Sequence, residues 1–218
     1  CRTSNEAAVS TDGGSLGRKG CLFIVSGPSG AGKTSIAAPA LAALDRISMS
    51  VSLTTRKPRA GETDGVEYHF IPEADFERRA KAGEFAEWAL VHGFRYGTSR
   101  TAIDRAIEGG DDLLLDIDVQ GAEQIKRAYP DAVSVFLLPP SRERLEERLR
   151  GRGTDDESTV QRRLDAACRE IASMVGYDYV IVNEYLPAAV EQFLTIVRAE
   201  RCKVVRIRRD VLTRRLAS

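Results

Sequence analysis

Histidine, methionine, tryptophan and cysteine are all scarce in this 218-residue sequence, with two, two, one and four copies. His69 and His92 stand in no triad-like setting, so nucleophilic hydrolysis has no visible machinery. The cysteines, Cys1, Cys21, Cys168 and Cys202, are scattered. None forms a C-x-x-C pair and no histidine stands at zinc-ligand spacing, which excludes a zinc ribbon or finger. Cys21 opens a strand and Cys168 lies on a helical stretch, so both read as buried thiols in a reducing cytoplasm. Charge of one sign is also lacking: 32 Lys and Arg balance 32 Asp and Glu. Such a balance argues against general nucleic-acid binding. The eight Lys and Arg of residues 198–215 read as a solvated helix face and tail. No apolar run reaches membrane-spanning length, and the first residues lack an apolar signal core. A chain opening at Cys1 without Met reads as truncated rather than as a processed lipoprotein. There is no internal repeat.

What remains is an ordinary globular composition, 43% apolar and 29% charged, at a length that supports one substantial core with attached lobes. Residues 1–19 are rich in Ser, Thr, Gly and Asn and read as a disordered leader. Strands and helices then alternate. Nearly continuous apolar runs at 21–26, 48–53, 112–117, 132–138 and 179–182 predict strands buried on both faces of a parallel sheet. Helices are expected at 32–44, 99–109, 119–128, 141–150, 156–175 and 186–204. Pro39 is awkward inside the first of these and should kink it or remove one backbone hydrogen bond. Residues 54–98 interrupt the alternation, and they predict an inserted lobe of short strands with one helix near 73–82. A second interruption at 148–158, marked by arginines and glycines, predicts a mobile segment.

The segment Cys21–Thr34, CLFIVSGPSGAGKT, carries the clearest chemistry. It places G-x-x-x-x-G-K-[ST] after a strand and before a helix. Backbone amides of Gly27, Pro28, Ser29, Gly30, Ala31 and Gly32 would cradle a polyphosphate at a helix N-terminus, Pro28 lending shape rather than an N–H. Lys33 would meet the outer phosphates, and the Thr34 hydroxyl would face Mg2+. This loop implies a nucleoside triphosphate, but GTPases, ATPases and kinases share it.

Discrimination comes from elsewhere. Arg56 and Arg59, with Tyr68 and Tyr96, suit a compact dianion such as a monophosphate. The same arginines could instead pair with Glu62, Asp64 and Glu67 on the surface. Glu87, in the apolar stretch EFAEWALV, could accept the adjacent N1–H and 2-amino donors of guanine. A solvent-facing glutamate is the alternative. Asp116 and Asp118 close the strand LLLDID, where ligands collect in open α/β sheets. One could hold Mg2+ through water and the other face the neighbouring substrate, while Asp118 could also cap the following helix. Arg148, Arg152 and Arg163 could close over phosphates, with Gly151 and Gly153 as hinges.

Taken in order, GPSGAGKT, SVSLTTRKPRAGETDGVEYHF, GEFAEWA, RYGTSR, LLLDIDVQGA, RLRGRGTDDES and VIVNE resemble the guanylate kinase family from about residue 20 to about residue 204. The resemblance implies transfer of the γ-phosphate of ATP to GMP with Mg2+. It implies an α/β P-loop NTPase core (20–53 and 99–204) whose parallel sheet is flanked by helices. A GMP-binding lobe at about 54–98, a mobile lid at about 141–160 and a basic C-terminal extension at 205–218 complete that expectation. By residue, it implies that Ser52, Glu87, Thr98 and Asp118 read guanine and that Arg56, Arg59, Tyr68 and Tyr96 hold the GMP phosphate. It further implies that Lys33, Arg148, Arg152 and Arg163 stabilise the transferring group. Thr34 and Asp116 would serve the metal, and Asn183 would lie at the adenine of ATP. Glu184-Tyr185 departs from the acidic residues that often follow that asparagine. A guanylate-kinase-like binding module would lack parts of the loop or of the GMP set, and both are present. A kinase for another small phosphate would leave Glu87 and Asp118 without a role. No nucleic-acid or membrane partner is expected.

Overall fold

The computed structural model describes residues 17–91, 93–151 and 156–208. The elements run β1 (Leu22–Ser26), α1 (Lys33–Ala43), β2 (Ile47–Met49), β3 (Ser52–Thr54), β4 (Tyr68–Phe70), α2 (Glu73–Lys81), β5 (Phe85–Val91) and β6 (Phe94–Ser99). They continue α3 (Arg100–Gly109), β7 (Asp112–Asp116), α4 (Val119–Ala128), β8 (Val133–Leu138), α5 (Arg142–Arg150), α6 (Glu157–Ala172), β9 (Tyr179–Val182) and α7 (Leu186–Arg201).

Two sheets divide the strands. The core sheet is parallel, in the order β2-β7-β1-β8-β9. Its central strand β1 is buried at all five residues, which explains the unbroken apolar run. Successive residues alternate between the faces. Phe23 and Val25 pack with Ile36 and Ala40 of α1 and Phe193 and Val197 of α7, whereas Leu22 and Ile24 pack with Ile103 of α3 and Ile125 of α4. The lobe sheet, β4-β3-β6-β5, pairs β6 antiparallel with both neighbours. Its small core joins Leu53, Phe76 and Phe85. A third cluster, Leu145, Leu149, Val160, Leu164 and Ala167, welds α5 to α6.

Several expectations change in detail. The strand predicted at 48–53 is two strands in two sheets, because β2 pairs with β7 and β3 pairs with β4 and β6. The chain therefore passes from core to lobe at Ser50–Val51. Pro39 sits within a continuous α1 on its solvent side, between the buried Ala37 and Ala40. Ser35, whose carbonyl it cannot serve, is exposed as well. Cys168 is exposed, one position beyond the buried stripe Val160, Leu164, Ala167.

Residues 17–19, expected in a leader, belong to the fold. Arg18 donates to the fully buried Asp112 at 2.5 Å, and Arg201 donates to its other oxygen at 2.6 Å. Arg18 also forms an antiparallel bridge to Ile207. The start of the basic C-terminal extension is thereby clasped against the start of the core. Residues 1–16 and 209–218 lie outside the described residues.

Candidate active site

The loop after β1 leaves the sheet where only glycine fits. Gly27 has φ of +144°, and a Cβ there would stand 2.3 Å from the Leu137 carbonyl oxygen of β8. At the far end, Gly32 is the N-cap of α1 and supplies no side-chain cap. The first-turn amides of α1 therefore face the cleft without a side-chain acceptor, in the arrangement that attracts anions. Lys33 folds back to donate to the Gly27 carbonyl at 2.8 Å. Its ammonium is 3.9 Å from Asp116, which is aligned with Val25 in the β1–β7 register. Asp116 borders the open cleft, yet the protein around it raises its carboxyl above the ordinary value while Lys33 acts in the opposite sense.

The facing wall comes from the lobe. Glu87 on β5 and Thr98 on β6 are cross-strand partners, and the Thr98 hydroxyl donates to Glu87 Oε1 at 2.6 Å. Glu87 is buried, and desolvation, with the nearby Asp118 acting in the same sense, pushes its carboxyl up to about 7 against the lowering effect of the Thr98 bond. Gly121 of α4 makes room for this carboxylate, since a Cβ there would stand 3.0 Å from Glu87 Oε2. Asp118 caps α4 by accepting from the Gly121 amide at 2.8 Å, and it also borders the cleft. Capping and a place at the cleft are thus compatible in one residue.

Arg56 is held in a fork. Its Nη1 and Nη2 donate to Glu62 Oε2 and Oε1, both at 2.8 Å, and Glu62 also accepts from the Arg59 amide at 2.7 Å. Those bonds hold the Glu62 carboxyl down at about 2. The guanidinium carbon lies 5.4 Å from the Tyr68 ring centroid and 5.7 Å from that of Phe70. Tyr68 and Tyr96 meet edge to face at 5.6 Å. The ion pair weighed for this arginine therefore exists, but it is oriented and partly buried rather than a loose surface contact.

One cleft of about 610 Å³ joins both walls. Gly27, Ser29, Gly30, Gly32, Lys33, Thr34 and Asp116 line it from the core, and Ser52, Arg56, Arg59, Tyr68, Glu87, Tyr96 and Asp118 line it from the lobe side and the α4 N-terminus. Thr98 stands behind Glu87 and is fully buried. Arg148 reaches the loop differently, through the carbonyls of Gly30 at 3.5 Å and Asn183 at 3.0 Å. Arg163 lies on α6. Arg152 lies outside the described residues.

Sequence reasoning gave no site role to six residues that line the cleft: Ser35, Glu62, Ala89, Val91, Ile117 and Glu170. Ala89 and Val91 follow Glu87 at the strand period of two, a signal available once β5 is recognised. Glu170 comes from α6, 83 residues beyond Glu87 by their numbers, and no local pattern marks it.

The guanylate kinase family model matches residues 19–200. A guanylate kinase from Syntrophotalea carbinolica is 54% identical over 193 residues, covering 88% of this chain and 92% of its own. One from Thermotoga maritima is 50% identical over 188 residues, covering 86% and 91%. The crystal structure of guanylate kinase from Anaplasma phagocytophilum superimposes with a TM-score of 0.70 at 34% identity, covering 87% of this chain and 90% of its own. A phosphate loop and a buried carboxylate facing each other across one cleft, in a chain so matched along nearly its whole length, place this protein in the guanylate kinase family.

Proposed function

We propose that the protein transfers the γ-phosphate of ATP to GMP, giving ADP and GDP. The observation that carries this reading is the shared cleft, in which a polyphosphate loop faces the Glu87–Thr98 pair and the Arg56–Tyr68–Tyr96 group. Ionised Glu87 would accept the paired N1–H and 2-amino donors of guanine, an edge that adenine lacks. Ser52, Thr98 and Asp118 would complete base reading. Arg56, Arg59, Tyr68 and Tyr96 would hold the GMP phosphate.

The acceptor phosphate is already anionic, so no protein base is required. Positioning and charge stabilisation carry the reaction. Residues Gly27–Thr34 would seat the donor phosphates. Lys33, Arg148, Arg152 and Arg163 would stabilise the transferring group, and Asn183 belongs to the ATP side. The Thr34 hydroxyl and the Asp116 carboxylate, the latter 3.9 Å from the Lys33 ammonium, are hard oxygen donors lining the same cleft, and this donor set fits Mg2+. Bound there, the ion would neutralise charge on the donor phosphates. We place the reaction in the cytoplasm, consistent with the unpaired Cys21, Cys168 and Cys202. Among the described residues no helix is long and apolar enough to cross a membrane.

A coupled ADP-release assay with Mg-ATP and separate GMP, AMP, CMP, UMP and ribose 5-phosphate tests this reading. Turnover with GMP alone is expected. Turnover with another acceptor would remove the guanine assignment, and none at all would remove the kinase assignment.

A further inference from the structure

The phosphate loop is built to be held from outside itself. Asn183 follows β9 directly, and its backbone amide donates to Leu138 O at 2.8 Å. This anchors it to the end of β8. From that anchor its side-chain Nδ2 donates to Ala31 O in the middle of the loop, also at 2.8 Å. The residue is 4% exposed. Gly32, with φ of +98°, leaves the space this amide occupies, because a Cβ there would stand 2.3 Å from Asn183 Nδ2. The second loop glycine is similarly engaged. A Cβ on Gly30 would meet Leu145 at 3.1 Å and Leu149 at 3.4 Å, both on α5. Arg148 closes the arrangement with Nη2 on Asn183 O at 3.0 Å and Nη1 toward Gly30 O at 3.5 Å.

A loop that offers its amides to an anion must turn its carbonyls away from it, and those carbonyls need donors of their own. Asn183 supplies one to Ala31, and Arg148 supplies another to Gly30. We propose that Asn183 is a positioning residue for the phosphate loop: its amide fixes the Ala31 peptide so that the loop amides converge on the triphosphate, independently of the adenine base. Arg148 ties the same asparagine to α5, so the loop and this helix share one bracket. This deepens the kinase reading on its donor side and rests on it only in naming ATP as the ligand.

The test separates loop bracing from adenine contact by using a ligand without a base. Binding of Mg-ATP, of magnesium with inorganic tripolyphosphate, and of GMP is measured by calorimetry for wild type and Asn183→Ala. Loss of one buried hydrogen bond predicts both triphosphate affinities falling by the same factor, about tenfold. GMP affinity should stay within about twofold of wild type. Weakened ATP with unchanged tripolyphosphate would overturn the proposal in favour of an adenine contact. Unchanged affinity for both, or a parallel loss for GMP, would overturn it as well.

If the alanine variant fails to fold, the wild-type protein still decides. The Asn183 side-chain amide should exchange slowly with water by NMR in the absence of nucleotide, and rapid exchange would overturn the proposal. Wild-type GMP turnover is scored separately. A protein that binds tripolyphosphate through this bracket but does not phosphorylate GMP would defeat the kinase reading and leave the bracing intact.

Discussion

The two walls of the cleft are made in opposite ways. The core wall is a run of eight neighbouring residues, Gly27–Thr34, whose chemistry is mostly backbone: amides at a helix start and glycines at positive φ. The lobe wall is almost all side chain. It gathers Ser52 from β3, Tyr68 from β4, Glu87 from β5, Tyr96 and Thr98 from β6, and Arg56 from the segment between β3 and β4. A phosphate is alike on every nucleotide, so a fixed backbone cradle recognises it without reading a base. A base edge must be told apart from its relatives, which requires placed donors and acceptors. The walls also differ in what occupies their polar groups. First-turn amides of α1 have no side-chain cap, whereas Arg56 is forked to Glu62 and Glu87 is bonded to Thr98.

Breaking the core wall should produce the largest effect. Lys33→Ala removes the side-chain charge at the donor phosphates. Single-turnover kinetics should show the chemical step slowed by about 10³-fold, with GMP affinity nearly unchanged. A comparable loss of GMP affinity would mean that the walls are not separable.

Breaking the lobe wall comes next. Glu87→Gln replaces an acceptor pair with one acceptor and one donor, and the donor then opposes a guanine N–H. The kcat/KM for GMP should fall by about 100-fold while the KM for Mg-ATP is unchanged. The pH profile sharpens the same point. With its carboxyl raised to about 7 by burial, wild-type kcat/KM for GMP should rise with pH through about 7, where Glu87 ionises, and Glu87→Gln should lose that step. Stability moves the other way. Because the folded value lies above the ordinary 4.5, Glu87 favours the folded state fully at low pH. That contribution is lost between about 4.5 and about 7. Chemical denaturation across this range should show a shallower decline in the glutamine variant.

The smallest change tests whether the pairing on the lobe wall orients its arginine. Glu62→Ala frees the Arg56 fork and removes the acceptor of the Arg59 amide. The KM for GMP should rise about fivefold with kcat within about twofold. An improved KM would mean that Glu62 competes with the substrate phosphate rather than positioning Arg56.

These contrasts explain which parts were legible in the chain. The phosphate loop could be read directly, since its meaning is local: strand, glycines and helix start occupy consecutive positions. The buried core strands were legible from their apolar runs. The split of 48–53 between two sheets was not, because both halves look alike in sequence and only their pairing partners differ. Pro39 looked disruptive in sequence, and its place on the solvent side of α1 depends on which face packs against α7. Residues 17–19 looked like leader until Asp112 supplied a buried partner for Arg18.

By itself, the sequence determined an α/β protein with a polyphosphate loop and a lobe carrying acids, arginines and tyrosines, because glycine geometry and hydrophobic periodicity act over neighbouring residues. Resemblance to a family attached guanine and GMP to those residues. Only the tertiary structure decided that Thr98 bonds Glu87, that Glu62 grips Arg56, and that Asn183 reaches across 152 positions to Ala31. The first and last of these join residues on separate strands or loops, and the Arg56–Glu62 fork closes within the one segment between β3 and β4. Their geometry exists only once burial has set the sheets and helices against one another.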